Sequence, residues 1–251
     1  MKTAVIFNGQ VRTLARCFES QRWNVYRKLV DPHFFISVAD EPNAREVERF
    51  RAIYAADRVF IEYVHQPRLP EPPAIHTQHV PYFDNPNKYR AEGLTLGEGL
   101  MRCLWSLNRS WEFFAESVDP SQFAEVVLMR GDLYFQNWIP PAVPIGEDEA
   151  FVPWWASYGG VNGSSGVFGI NAARAYLTAF QQLQPMLDAG CPFHPESLVC
   201  FAMERAGCKI HRTLWSEFDF VRMDGRIDHP NILLPEVARY AAALVMERFK
   251  Q

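Results

Sequence analysis

The chain contains no run of about 18 consecutive apolar residues, the length that a membrane-spanning helix requires. Its opening, Met1-Lys2-Thr3-Ala4-Val5-Ile6-Phe7, turns polar too soon to form the core of a signal peptide. Both gaps predict a cytoplasmic protein without a transmembrane segment, one that meets a membrane only peripherally. The five cysteines, Cys17, Cys103, Cys191, Cys200 and Cys208, are odd in number, widely spaced and without a Cys-x-x-Cys pair. That excludes a zinc ribbon or a dithiol redox motif and predicts reduced thiols. Lysine and arginine do not gather into a basic stripe, and the net charge is −4. Nucleic acid is therefore excluded as a partner. Walker loop, complete Gly-x-Gly-x-x-Gly fingerprint and Gly-x-Ser-x-Gly elbow are all missing, as are repeats and low-complexity tracts.

What is present is an ordinary globular balance. Apolar residues make up 48% and charged residues 22%, which argues against disorder, and 251 residues suit one α/β domain. Thr3 to Phe7 reads as a buried strand ending at the turn signal Asn8-Gly9-Gln10, and a helical pattern follows from Thr13 to Leu29. His33 to Val38 reads as a second strand, Pro42 to Ala56 as a helix carrying Val47, Phe50, Ile53 and Tyr54, and Val59 to Val64 as a third strand. This alternation predicts parallel strands joined by helical crossovers, the start of a Rossmann-like sheet. Between His65 and Arg90, six prolines break every pattern, so the segment is expected to be a long loop acting as a lid. Its His65, His76 and His79 read as solvated loop histidines rather than metal ligands.

Leu96, Leu100, Leu104, Leu107, Trp111 and Phe114 trace one stripe of a long helix that stops before Asp119-Pro120. Ala124 to Met129 is the best central-strand candidate, and it runs into Arg130-Gly131-Asp132. Ala150 to Trp155 reads as another strand, followed by a glycine-rich loop from Gly159 to Gly166. Asn171 is expected to cap a helix over Ala172 to Leu187. A further helix, Pro195 to Arg205, closes at Gly207 and leads into a strand from Lys209 to Leu214. Asp224-Gly225 signals a hairpin between Phe218–Met223 and Arg226-Ile227, and an amphipathic helix is expected from Pro235 to Phe249.

Four places carry candidate chemistry. Asp132 stands where a strand exits, and ligands of open α/β sheets collect there. A carboxylate in that position can hold a Mn²⁺ or Mg²⁺ ion that neutralises a diphosphate. The guanidinium of Arg130 can grip phosphate, or it can pair with Asp132 as a plain strand-end salt bridge. The second place is the turn after the first strand, Asn8-Gly9-Gln10-Val11-Arg12, where glycine admits close approach and a helix N-terminus favours anions. The alternative there is an ordinary connecting loop. The third is the glycine-rich loop, which suits a nest of N–H donors over a pocket. The fourth is His194-Pro195-Glu196 at a helix start, where Glu196 either serves the helix dipole or accepts a proton as a general base.

The order of these motifs resembles a family of bacterial and viral GT-A-like glycosyltransferases of surface-polysaccharide (capsule and lipopolysaccharide) assembly. Gly9-Gln10-Val11-Arg12-Thr13 matches its Gly-Gln-x-Arg-Thr, and Arg130-Gly131-Asp132-Leu133-Tyr134 matches its Arg-x-Asp followed by an aliphatic and an aromatic residue. Gly160-Val161-Asn162 and His194-Pro195-Glu196 match the remaining two motifs, across roughly residues 3 to 215. Two positions depart from the pattern. Arg130 stands in the first place of the Asp-x-Asp with which GT-A enzymes hold their metal, and Gly163 replaces an acidic residue.

The resemblance implies a single GT-A-like, Rossmann-like three-layer α/β/α domain over residues 1–251 with a mostly parallel central sheet. About 1–130 would form a nucleotide-binding half and about 131–251 an acceptor half. It implies transfer of a sugar from a nucleotide-sugar donor to a carbohydrate acceptor. Phe7, Asn8, Gly9, Gln10, Arg12 and Arg130 would face the donor, Asp132 would hold a divalent cation, and Gly160, Asn162, His194 and Trp155 would face the acceptor. Asp132 and Glu196 would be the catalytic pair. The departures leave a second expectation open, a catalytically weakened nucleotide- or sugar-binding protein of the same fold.

Overall fold

A strand whose two faces are both apolar must be covered on both sides. In the computed structural model β1 (Lys2–Asn8) is such a strand, with Ala4 and Ile6 in one core and Val5 and Phe7 in the other. The structure describes residues 2–8, 13–39, 47–71, 96–138, 144–155, 157, 160–213, 216–222 and 224–228. The expected lid beyond residue 71 and the helix expected at residues 235–249 lie outside them.

β1 is flanked by β2 (Pro32–Ala39), which pairs on its far side with β3 (Val59–Val64), and by β4 (Phe123–Arg130) on the other side, all parallel. Beyond β4 come β7 (Ser165–Phe168), antiparallel to it, then β6 (Glu149–Pro153) and β8 (Lys209–Thr213). The result is a seven-stranded sheet in the order β3-β2-β1-β4-β7-β6-β8, with β7 its one antiparallel member. This is the expected α/β class with a mostly parallel sheet.

Helices cover both faces, so three layers form. Against Ala4, Ile6, Phe35 and Leu128 pack α3 (Leu96–Ser117), α4 (Ile170–Leu177) and α6 (Pro195–Arg205). Against Val5, Phe7, Phe34 and Met129 pack α1 (Leu14–Asn24) and the short α2 (Glu48–Ile53). Six residues make a marginal helix on their own. α2 is held through Phe50, fully buried and 5.0 to 5.9 Å from the rings of Phe7, Phe18, Tyr26 and Phe34. The second layer is only partly helical. β5 (Leu133–Trp138), β9 (Ser216–Val221) and β10 (Ile227–Asp228) form a separate antiparallel sheet whose Leu133, Phe135 and Phe218 complete that core. Among the described residues no helix is long and apolar enough to cross a membrane.

Most sequence boundaries fall within two residues of those observed; the helix expected to Leu29 ends at Asn24, and of that expected over Pro42–Ala56 the described part is helical over Glu48–Ile53, while two other departures have local causes. The helix expected over Ala172 to Leu187 is broken into α4, a 3-10 turn at Ala179–Gln182 and α5 (Leu183–Asp188). Pro185 lacks an amide hydrogen and is tolerated only in a first turn, so the helix restarts just before it. Asn171 does not cap this helix. Gly169 precedes its first residue, and the Asn171 amide instead donates to Asp148 Oδ1 at 3.0 Å. β7 hides inside the glycine-rich segment because a Cβ on Gly166 would lie 2.7 Å from the Phe168 ring, so the strand needs glycine there. The Asp224-Gly225 hairpin is present, with Gly225 at φ 86° and β9 antiparallel to β10.

Candidate active site

From β1 the chain winds through β2 and β3 on one side, then returns to lay β4 on the other. The strand order turns at β1 and β4, with β2 and β3 on one side and β7, β6 and β8 on the other, and such a switch point is where ligands of open α/β sheets bind. Asn8 and Arg130 are register partners at the ends of these two strands. Phe7 is buried just below, its carbonyl accepting Ser110 Oγ at 3.2 Å. Gly9, Gln10 and Arg12 lie outside the described residues.

Arg130 and Asp132 meet as a two-pronged ion pair, Nε to Oδ1 at 2.9 Å and Nη2 to Oδ2 at 2.6 Å. Fork-to-carboxylate pairing of this kind is the strong form of a charge-assisted bond. The aspartate is 15% exposed and the arginine 36%, with Nη1 outside the pair and the guanidinium 5.3 Å from the Phe220 ring centroid. The turn that brings them together is held from below by Gln21. Its Nε2 donates to the carbonyls of Arg130, Gly131 and Leu133 at 3.2, 3.3 and 2.9 Å, while its Oε1 accepts Tyr26 Oη at 2.6 Å. Val221 N donates to the Asp132 carbonyl at 2.9 Å, tying the small sheet to the same turn.

Facing this pair is the N-terminus of α6. His194 precedes its first residue, Pro195 begins it, and Glu196 follows. Pro195 fits there because the first helical N–H needs no partner. Burial pushes the Glu196 carboxyl up from 4.5 to about 7, against the opposing pull of its helix-end N–H and the Arg130 charge. Burial also pushes His194 down to about 4, so its imidazole is neutral near pH 7. His194 Nε2 lies 3.3 Å from Glu196 Oε2, and Nδ1 lies 3.3 Å from Ser197 Oγ.

The glycine-rich segment clamps this helix end. Val161 N donates to the Glu196 carbonyl at 3.1 Å, and Arg212 Nη2 donates to the Gly160 carbonyl at 2.8 Å. A Cβ on Gly160 would sit 2.0 Å from that Glu196 carbonyl oxygen, a separation no side chain survives. Asn162 is buried with its amide in use, Nδ2 to the Trp155 carbonyl and Oδ1 from Ser164 N, each at 2.8 Å. Trp155 is buried against the Phe218 ring, 4.5 Å between centroids. Gly160, Asn162, His194 and Trp155, expected to face an acceptor, thus frame Glu196 or fill the core beside it.

The arrangement offers a cation at the strand end and, across from it, a carboxyl group that titrates near neutrality. A divalent ion would find one carboxylate, Asp132, with both oxygens already on Arg130. No set of three or more His, Cys, Asp or Glu side chains is placed to hold a metal among the described residues. A separate cleft of about 700 Å³ opens between α3 and α4, lined by Trp111, Glu112, Glu116, Asp148, Arg174 and Cys208. Asp148 and Cys208 immediately precede β6 and β8, so this cleft lies at the amino ends of those strands, away from the switch point.

Sequence reasoning missed Gln21 and Tyr176. Gln21 could have been found, because Leu14, Phe18, Gln21 and Val25 share one buried face on which a lone amide is conspicuous. Tyr176, on the apolar face of α4, gave no such signal. No protein-family model matches the chain, and no curated protein matches it either.

Proposed function

We propose that the chain is a GT-A-like glycosyltransferase that moves a sugar from a nucleotide-sugar donor to a carbohydrate hydroxyl in surface-polysaccharide assembly. One observation carries the reading: a guanidinium at the β1/β4 switch point faces a half-buried carboxyl group whose pKa is raised to about 7. Breaking a glycosidic bond to a diphosphate builds negative charge on the leaving group, and a fixed cation in a partly dry crevice stabilises that charge. Arg130 takes this role, with Asp132 fixing its orientation through the two-pronged pair. Glu196 accepts the proton of the attacking hydroxyl, and a base titrating near working pH suits that task. Asn8, Gly9, Gln10 and Arg12 would contact the nucleotide.

The experiment is to incubate the chain with a panel of nucleotide sugars and candidate glycan acceptors, with and without Mn²⁺, and to follow nucleoside diphosphate release. Release that depends on both Arg130 and Glu196 is expected. Tight nucleotide binding without turnover would sink the enzyme reading. It would favour instead a catalytically weakened nucleotide-binding protein, which the engagement of both Asp132 oxygens by Arg130 already makes the second choice.

A further inference from the structure

Tyr176 is 1% exposed, and its phenol oxygen makes no hydrogen bond among the described residues. Leaving a buried hydroxyl unpaired is costly, and such an atom calls for an explanation. Burial holds the phenol well above its ordinary 10, with Cys103 and Glu196 pushing the same way and Arg130 opposing, so it is a proton donor at any working pH. What it lacks is an acceptor.

Glu196 offers an acceptor beside the same space as the phenol. A Cβ built on Gly163 would lie 3.5 Å from Glu196 Oε1 and 3.8 Å from Tyr176 Oη, so the two polar atoms border one space left clear of any side chain. Glu196 Oε2 faces the opposite way, towards His194. The groups acting on Glu196 are His194 at the start of its own helix, Arg130 from β4, Cys103 from α3 and Tyr176 from α4. Among these, the phenol is the buried hydroxyl donor with no acceptor among the described residues.

We propose that Tyr176 is a positioning residue for Glu196: its hydroxyl is the donor held for the ionised carboxylate, and the bare backbone at Gly163 is the space across which the two meet. Protonated Glu196 needs no such donor. Once the proton leaves, the carboxylate becomes a charged acceptor, and a bond from Tyr176 to Oε1 stabilises and orients it while Oε2 stays beside His194. The inference rests on the reading of Glu196 as proton acceptor, but its first test needs no turnover.

That test is a side-chain carboxyl NMR titration of the full chain as wild type, Tyr176→Phe and Gly163→Ala. A methyl at Gly163 makes only ordinary contacts and the backbone there is not left-handed, so Gly163→Ala folds while occupying the shared space. Both variants are expected to move the Glu196 midpoint upward by about one unit, a tenfold loss of preference for the ionised form. Tyr176→Phe should also melt no lower than wild type near pH 5, where the phenol has no partner to lose. An unmoved midpoint in either variant overturns the proposal. So does a Tyr176→Phe protein destabilised equally near pH 5 and pH 8, because the hydroxyl would then have a structural partner at all times. With nucleotide sugars as probes, the acid limb of the kcat profile should rise with the midpoint while donor KM holds. Shifted midpoints without any turnover would remove the enzyme reading and leave the Tyr176–Glu196 pairing standing.

Discussion

Replacing Glu196 by glutamine should make the protein more stable at pH 8 while leaving it nearly unchanged near pH 4.5. The Glu196 side chain is 18% exposed, and burial raises its folded-state pKa from 4.5 to about 7. A carboxyl whose pKa is raised by folding favours the folded state in its protonated form. Its contribution is full below 4.5 and is lost as pH rises through about 7. At about 1.36 kcal/mol per unit, the interval corresponds to about 3 kcal/mol, reduced by whatever the Tyr176 hydroxyl returns to the ionised form. Glutamine keeps the shape and never ionises, so Glu196→Gln escapes this loss. His194, pushed down from 6.5 to about 4, destabilises the fold in both proteins as pH falls below 6.5. Urea unfolding across pH 4.5 to 8, with equal slopes in denaturant, gives the difference directly. A constant offset over that range, or a wild type more stable than the variant at pH 8, would refute a buried carboxyl titrating near neutrality.

Three further outcomes follow from the same geometry. Gln21→Ala strips the donor from three carbonyls of the Arg130 turn and the acceptor from Tyr26, so urea unfolding should register a loss of about 2–4 kcal/mol. Gly160→Ala forces a methyl against the Glu196 carbonyl and should lower stability by about 1–3 kcal/mol or more; a melting temperature equal to wild type would contradict the clamp on α6. Arg130→Lys keeps the charge but loses the fork that grips Asp132, so nucleoside diphosphate release should fall on the order of a hundredfold with the fold intact by circular dichroism.

The parallel half of the sheet was legible because strands buried on both faces are unbroken apolar runs, and β3 and α6 begin and end where the pattern says they do. Less could be read where tertiary contacts override local pattern. β7 lies in what reads as a glycine loop because Gly166 yields room to Phe168, and β5 reads as the flank of a motif although Leu133 and Phe135 alternate inward as a strand requires. The motif residues show the same division. Arg130, Asp132 and Glu196 were found by their place at element ends, which sequence order reveals. That Asn162 and Trp155 spend their polar and aromatic groups inward depends on partners such as Ser164 and Phe218. Nothing in the local spacing identifies those partners. Tyr176 is the extreme case: its only signal is a missing partner, a property no sequence pattern contains.

Arg130 stands between two carboxyl groups and serves them unequally. Asp132 takes the guanidinium fork at short range, whereas Glu196 receives only its longer-range pull, which is weaker than the burial opposing it. In the proposed reaction this inequality links the two ends of the chemistry. A diphosphate bound at Arg130 competes for the charge that Glu196 relies on, so the Glu196 pKa rises further and the carboxylate becomes a stronger base as the leaving group forms. Reciprocal linkage then requires that nucleoside diphosphate binding draw a proton from solution near pH 7. Calorimetric titration in two buffers of different ionisation enthalpy measures that uptake. Uptake should exceed that of Glu196→Gln by a fraction of a proton per site, the ionisation of the diphosphate itself being common to both proteins. Equal uptake in the two proteins would place the coupled group elsewhere and detach Glu196 from the donor site.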